Sequence, residues 1–518
     1  MYTYNLALHF QEVATKHASR TALWFSREEE YAYAELNELA NRLARFLLQE
    51  GITRGDVVAI SGKKIVHTYA LILACLKIGA TYTVFDPDSP LERLQKIFAT
   101  CQPKLAAAEN ELLQTMKLVL SEQAILALDL TDPETLTSIT ALDNGNLPDT
   151  RSVTGKNPAY IMYTSGSTGF PKGAVMTHAG VLNLAKWGQE SYKIIPEDVQ
   201  TNLNPLYFDN SVFDVYSALF NGACLVPFSK QETRNPKLLV DKIDEAACTL
   251  WFSVPSLLIF LQTMKATDGK YMRSIRRFIF GGEGYPKAKL KALYDTYADT
   301  SEFHNVSGPT ECTCICSSYK LAAEDFEDLQ GFPSLGSIAS NFSYLILDDN
   351  DEKVPDGELG ELCLMGPNVG LGYYNDPERT ALGFVQNPYN DKFKEIMYKT
   401  GDLVRIDPAD GKLYIHGRKD NQIKHMGYRI ELEEIETALH QVESISEAVA
   451  IHSTANASSK IVAVVASSQE IDERQLRQEL KKNIPDYMIP SVFYRKDVLP
   501  KNANGKVDRK KLNDEYLS

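Results

Sequence analysis

The sequence predicts an α/β fold: a large N-terminal region of layered sheets and helices over residues 1–419, followed by a small α+β domain over 420–518. Three observations predict it. Strand-like runs alternate with helical ones through most of the chain, the pattern that builds layers of sheet and helix. A chain of 518 residues is too long for one core. The character of the sequence shifts after Gly417-Arg418-Lys419-Asp420, and about a hundred residues remain, enough for a second small domain.

Taken in order, residues 33–50 read as a helix and 57–60, Val-Val-Ala-Ile, as a strand. The longest apolar stretch, 69–80, is interrupted by Lys77. It is too short to span a bilayer and reads as a buried helix. Residues 159–163, Ala-Tyr-Ile-Met-Tyr, read as a buried strand. Residues 223–228, 277–280 and 344–347 read as further strands, and 286–297 as a helix. Cys312, Cys314 and Cys316 alternate, which is strand periodicity rather than a metal site, because no second Cys/His cluster completes one. Residues 348–351 and 355–357 carry turn chemistry. Beyond Asp420, residues 428–440 read as an acidic helix, and 448–452 and 461–466 as strands. Pro485 and Pro490 bracket a stiff loop, and Asn504-Gly505-Lys506 makes a tight turn.

Composition narrows the function. The 44% hydrophobic and 24% charged fractions are those of a globular protein. A net charge of −14 argues against a nucleic-acid binder. The N-terminus has no basic start followed by an apolar run, so neither a signal peptide nor membrane insertion is expected. Eight cysteines in so long a chain suit a reducing compartment, so a cytoplasmic location is expected.

The chemistry starts at Thr164-Ser165-Gly166-Ser167-Thr168-Gly169-Phe170-Pro171-Lys172-Gly173. Glycines let the backbone approach a ligand, hydroxyls add donors, and successive N–H groups form a concave anion site. The loop follows a buried strand, where open α/β sheets place ligands. It is not the usual nucleotide-triphosphatase loop, because Gly166 and Gly169 stand too close and Lys172 is followed by Gly173. A flexible linker is the bland alternative, disfavoured by Pro171-Lys172 and the preceding strand. Three more pieces follow. Asn305-Val306-Ser307-Gly308-Pro309-Thr310-Glu311 is a turn ending in a carboxylate, suited to magnesium beside a triphosphate. Tyr398-Lys399-Thr400-Gly401-Asp402 places an acid able to accept two ribose hydroxyls. The segment 500–511 carries Lys506 on its Asn-Gly turn.

Together these resemble the adenylate-forming superfamily of acyl- and aryl-CoA synthetases, luciferases and nonribosomal peptide synthetase adenylation domains. The resemblance runs from Tyr33 to Leu512, and the chain looks most like amino-acid adenylation enzymes, including D-alanine–carrier protein ligases. It implies a mobile C-terminal lid and a two-step reaction. A carboxylate attacks the α-phosphorus of Mg-ATP, giving an acyl-adenylate and pyrophosphate; a thiol then takes the acyl group and releases AMP. By this resemblance Thr164, Ser165, Gly166, Ser167, Thr168, Gly169 and Lys172 cradle the β- and γ-phosphates, and Glu311 holds Mg2+. Asp402 clamps the ribose, Arg418 approaches ribose or phosphate, and Lys506 reaches the reacting atoms from the lid. Gly308 and Thr310 belong to the nucleotide site. Ser307 stands where amino-acid adenylation domains usually carry an aromatic that stacks on adenine, so backbone around Gly281-Gly282-Glu283, or another apolar wall, is expected to hold the base. Asp420 falls at the family's hinge, with the loop around Gly427 turning toward the site for the second step.

The same resemblance places Asp209 on the substrate α-ammonium; a helix cap at Ser211 onward is the bland alternative. It lines the side-chain pocket with Asn210, Phe213, Phe252, Ile279, Gly281, Val306, Cys314 and Ile315, of which core packing is the bland reading. Phe213 and Phe252 shorten the pocket, Gly281 gives room, and no charge faces a charged substrate. A neutral amino acid of small to medium size is therefore expected. The chain ends seven residues after Lys511, which suggests a free-standing ligase loading a separate carrier protein through its phosphopantetheine arm. An acyl-CoA synthetase is the alternative, against which Asp209 counts. A non-catalytic binding protein is the other, against which Lys172, Glu311, Asp402 and Lys506 count.

Overall fold

Parallel strands dominate the first three hundred residues because the segments between them are helices, which return the chain to the same edge. The computed structural model describes residues 3–166, 169–453, 459–467, 469–501 and 507–517. It divides into two units: Met1–Pro87, Cys101–Met162 and Gly173–Lys419 form one, and Asp88–Thr100, Tyr163–Lys172 and Asp420–Ser518 form the other.

A six-stranded sheet runs in the order Leu126–Asp129, Leu105–Ala108, Val57–Ser61, Thr81–Phe85, Pro158–Thr164, Lys172–Thr177. Its central strands pair in parallel and Val57–Ser61 and Thr81–Phe85 are buried along their whole length. Burial on both faces is why these strands read as unbroken apolar runs without alternation. Helix Val66–Ile78 is buried on nearly every side, which explains the apolar stretch around it. Lys77 ends that stretch from inside: its Nζ donates to Asn37 Oδ1 at 2.8 Å, and burial pushes the ammonium down to about 7. Gly79 closes the helix at φ 75°, a conformation glycine adopts without cost.

A nine-stranded sheet holds the central region. Leu250–Ser253, Arg277–Gly281 and Glu302–Ser307 run parallel, and Ser317–Lys320 returns antiparallel beside the last. A five-stranded antiparallel sheet contains Ser343–Leu347, Gly360–Met365, Phe384–Gln386, Ile396–Ile406 and Leu413–Arg418. The expected helices at 33–50 and 286–297 are Tyr33–Gln49 and Lys287–Tyr297. No strand runs through Cys312, Cys314 and Cys316. A 3-10 turn, Thr310–Cys312, is followed by Thr313 and Cys314 at φ 59° and 75°. The reason lies at Gly308, where a Cβ would stand 2.2 Å from Cys314 O. The chain doubles back so tightly that Cys316 N donates to Ser307 O at 2.8 Å.

His178 opens helix His178–Tyr192 and is fully buried, with Leu6 N donating to its Nδ1 at 3.2 Å. Burial lowers its pKa from 6.5 to about 3. The folded pKa is depressed, so the stability His178 confers is complete above pH 6.5 and is lost as pH falls toward 3. Through that window the slope approaches ~1.4 kcal/mol per pH unit for this one group. His178→Asn keeps an acceptor for Leu6 N and removes the titration, so its unfolding midpoint falls less steeply with acid than that of the parent. Identical slopes in parallel denaturation series would remove His178 from the account.

In the second unit, Gln422–His425 and Tyr428–Glu431 form a hairpin, and helix Leu432–His440 starts only after it. The helix expected over 428–440 is therefore corrected at its first turn. Met426 and Gly427 take φ 51° and 81°, the left-handed pair that a two-residue hairpin turn requires. Tyr428-Arg429-Ile430-Glu431 then follows strand periodicity in the return arm. Glu447–Ser453, Lys460–Ala466 and Val492–Lys496 make a three-stranded sheet. Ile430, Ile435, Leu439, Ala463, Val465 and Leu480 form the core between this sheet and its helices.

Candidate active site

Asp209 stands at the start of helix Asn210–Leu219, yet its side chain makes no cap. Its Oδ2 accepts from Thr310 Oγ1 at 2.6 Å, a bond between residues far apart in the chain. The capping alternative thus loses its basis, and the carboxylate is oriented by the Gly308–Glu311 turn. Behind it, Phe213 packs edge-on against Phe252 at 5.1 Å and Tyr192 at 5.6 Å. Cys314 Sγ donates to Asn210 Oδ1 at 3.9 Å. Phe213, Phe252, Ile279, Val306, Cys314 and Ile315 all belong to one buried apolar cluster. The fold thus gathers the residues expected to line a side-chain pocket from the helix, from three parallel strands and from the turn that follows them.

Gly281 does not give the room expected of it. A Cβ there would lie 2.3 Å from Val306 O and 2.6 Å from Val306 Cγ2. The absent side chain lets two neighbouring strands close up, and Val306 fills the space. Gly282, at φ 89°, lies within 3.4 Å of Asn210 Nδ2 measured from an added Cβ. Glu283 is engaged locally, its Oε1 accepting from Ser256 N at 2.7 Å. Beyond it, the half-exposed ring of Phe332 covers Gly284, where a Cβ would stand 2.6 Å from the ring. Ser307 ends the strand Glu302–Ser307 with its side chain partly buried.

Glu311 is fully buried. Tyr373 Oη donates to its Oε1 at 2.7 Å, and its backbone oxygen accepts from Gly370 N at 2.9 Å. Among the described residues no group of three His, Cys, Asp or Glu is placed to hold a metal. A single carboxylate suits magnesium, which takes few protein ligands and completes its shell with water and phosphate oxygens. Asp402 and Arg418 face each other across the Ile396–Ile406 and Leu413–Arg418 ladder and form an ion pair. Arg418 Nη2 also donates to Thr400 O at 3.1 Å, and Asp402 N to Thr400 Oγ1 at 3.0 Å.

The phosphate loop belongs to the second unit. Thr164 ends its strand with Oγ1 buried and without a hydrogen-bond partner among the described residues. A buried hydroxyl left this way costs stability unless something accepts from it, which fits a phosphate oxygen. Ser165 Oγ donates to Arg429 O at 2.8 Å, and Lys172 Nζ donates to Glu431 Oε1 at 3.2 Å. Gly169 takes φ 76°. Ser167, Thr168 and Lys506 lie outside the described residues.

Several site neighbours escaped the sequence reading. Tyr373, the partner of Glu311, lies 62 residues further along the chain. Asp214 lies five residues beyond Asp209, fully buried, its Oδ2 accepting from Asn202 Nδ2 at 2.9 Å and Asn204 Nδ2 at 3.0 Å. Burial raises its carboxyl well above the ordinary range. Burial, with the charges of Asp209 and Asp214 nearby, raises the Cys314 thiol in the same direction. No periodicity in the sequence marks such partners, since they are set by which strand lies beside which.

Residues 10–374 match the family profile of the AMP-binding enzymes, and 434–506 that of the AMP-binding enzyme C-terminal domain. The chain belongs to the AMP-binding enzyme family, the adenylate-forming ligases, which use ATP. It is 35% identical over 504 residues to bacitracin synthase 1 of Bacillus licheniformis, covering 97% of this chain and 9% of that protein. It is 35% identical over 481 residues to gramicidin S synthase 2 of Brevibacillus brevis, covering 93% of this chain and 10% of that one. The chain thus spans about a tenth of the length of these relatives. Among solved structures, the Vibrio cholerae adenylation domain AlmE in complex with glycyl-adenosine-5'-phosphate superposes with a TM-score of 0.81 at 22% identity, covering 100% of this chain and 98% of that one. That likeness carries the fold. Among the described residues no helix is long and apolar enough to cross a membrane.

Proposed function

We propose that this protein activates a neutral amino acid as its aminoacyl-adenylate and passes it to the phosphopantetheine thiol of a carrier protein. The observation that carries this reading is Asp209: a carboxylate oriented by Thr310 at 2.6 Å beside a buried apolar cluster that holds Phe213, Phe252 and Val306. A charge so placed selects for a substrate cation, and an amino acid supplies one next to the reacting carboxylate.

In the first step an oxygen of the substrate carboxylate bonds to the α-phosphorus, and the bond from that phosphorus to the bridging oxygen breaks. Pyrophosphate leaves with the electron pair. In the second step the thiol sulfur bonds to the acyl carbon, the bond to the phosphate oxygen breaks, AMP leaves, and the thiol proton passes to solvent. Positioning and charge neutralisation dominate both steps. Thr164, Ser165, Gly166, Ser167, Thr168, Gly169 and Lys172 hold the outer phosphates. Glu311 would hold Mg2+, which would supply neutralisation of phosphate charge. Asp402 accepts the ribose hydroxyls, with Arg418 pairing it and reaching ribose or phosphate. Gly282, Glu283, Ser307 and Gly308 border the base, and Phe332 offers the ring that position 307 lacks. Lys506 meets the developing charge. On this reading residues 1–419 bind ATP and the amino acid, 420–518 act as the lid, and Asp420 is the hinge.

ATP–pyrophosphate exchange screened across amino acids and fatty acids tests the reading. The expected result is exchange with one or a few neutral amino acids and none with fatty acids. Exchange with a des-amino acid at equal efficiency would sink it. Offering CoA and a phosphopantetheinylated carrier protein as acceptors to the charged enzyme then decides the second step.

A further inference from the structure

Two donors of the phosphate loop, Lys172 Nζ and Gly166 N, are taken by carboxylates from the C-terminal part of the same unit. Glu431 Oε1 accepts from Lys172 Nζ at 3.2 Å and from Gln422 Nε2 at 2.6 Å. Glu434 Oε2 accepts from Gly166 N at 3.3 Å, while its Oε1 forms an ion pair with Arg93. Ser165 joins the two segments twice: Oγ donates to Arg429 O at 2.8 Å and accepts from Glu431 N at 3.1 Å. The ion-paired side chains are withdrawn from solvent, Glu434 at 3% exposure and Glu431 at 6%. The fit is specific in shape as well. A Cβ on Gly169 would stand 2.8 Å from Thr437 Cγ2, so the loop's glycine lets helix Leu432–His440 come close.

A lysine ammonium and loop N–H groups are the donors that hold phosphate oxygens. At hydrogen-bond distance the same donors do not serve a carboxylate and a phosphate together. Two buried carboxylates beside a polyphosphate would also repel it strongly in a medium of low dielectric. The two occupants therefore exclude each other. In the proposed reaction pyrophosphate leaves this loop after the first step and before the thiol attacks.

We infer that Glu431 and Glu434, with Arg93, are positioning residues for the thiol-transfer step. Their carboxylates take over Lys172 and the Gly166 N–H as pyrophosphate departs, and so dock the segment 429–437 on the loop. Release of the leaving group and docking for the second step then become one competition for one set of donors. The inference rests on the two-step reading above. It goes further by giving a role to residues that touch neither the amino acid nor the nucleotide in that reading.

The test has two arms on the full chain. In the first, Glu434→Gln and Glu431→Gln are assayed for ATP–pyrophosphate exchange and for aminoacyl transfer to a carrier protein on the same preparations. Each variant removes one charged partner from a buried site, so transfer falls by roughly tenfold to a hundredfold while exchange is retained or rises. Equal loss of both activities, or no loss of transfer, overturns the inference. The second arm needs no variant and no substrate acid. Amide hydrogen exchange of residues 429–437 is followed in the parent protein as inorganic pyrophosphate is added. Faster exchange in this segment is expected, and in Glu434→Gln the segment starts faster and responds less. Protection that is indifferent to pyrophosphate overturns the inference, even if Glu434→Gln folds poorly. A parent protein that supports no exchange with any acid refutes the adenylation reading, whereas the hydrogen-exchange arm still reports on the docking alone.

Discussion

Asp209→Asn lowers kcat/KM for the amino acid by roughly a hundredfold, close to 3 kcal/mol, the cost of taking one charge from a partly buried pair. The substitution is chosen for what it keeps. Asn still offers an oxygen to Thr310 Oγ1, so the turn at Gly308–Glu311 and helix Asn210–Leu219 hold their places. Under the proposed function, only the charge that faces the substrate ammonium disappears. The ammonium must then shed its hydration without a counter-charge, and most of the loss falls in KM. A des-amino analogue of the same acid has no ammonium to leave unpaired, so the variant narrows the gap between the two substrates. Exchange kinetics with both acids, beside a thermal denaturation control, give the answer. An unchanged Michaelis constant for the amino acid would make Asp209 a structural residue only.

Lys506→Ala has the largest expected effect, ~10²–10³ in the rate of adenylate formation, because one preorganised charge at the point where charge develops is worth roughly 3–4 kcal/mol. The prediction comes from the Asn-Gly turn and its place in the chain. On the tight turn that the sequence predicts, a lysine is expected to serve the reaction rather than the core, so unfolding midpoints should match those of the parent. Substrate affinity measured without turnover should also stay near its parent value, because the contact is made in the transition state. The readouts are single-turnover adenylate formation and pyrophosphate exchange. Near-normal exchange removes Lys506 from the reaction.

Much of the fold was legible in the sequence. Buried parallel strands announce themselves as apolar runs, as at Val57–Ser61 and Pro158–Thr164, because both faces are covered. Helix Val66–Ile78 was legible for the same reason, Lys77 included. The chemistry-bearing motifs were legible too, since a glycine-rich loop or a Gly-Pro turn ending in an acid is a local device with a local spacing. Those features depend on residues close together in the chain, and periodicity and motif report such residues faithfully.

Only the tertiary structure decided the rest. Residues 428–431 look helical beside the helix that follows, until the left-handed pair Met426-Gly427 turns them into the return arm of a hairpin. Cys312, Cys314 and Cys316 alternate like a strand, yet the close approach at Gly308 folds them into a turn. Gly281 looks like space for a substrate and is instead the contact that lets Val306 close in. The Asp209–Thr310 bond and the carboxylates on the phosphate loop join segments a hundred or more residues apart. A bond across that distance leaves no periodic trace, because it depends on strand order and on which backbone atoms can come within van der Waals reach. The sequence by itself determined the α/β layering and the inventory of reactive groups. Packing decided which of those groups meet, because the energy of each meeting is set by burial and contact that exist only once the distant segments are side by side.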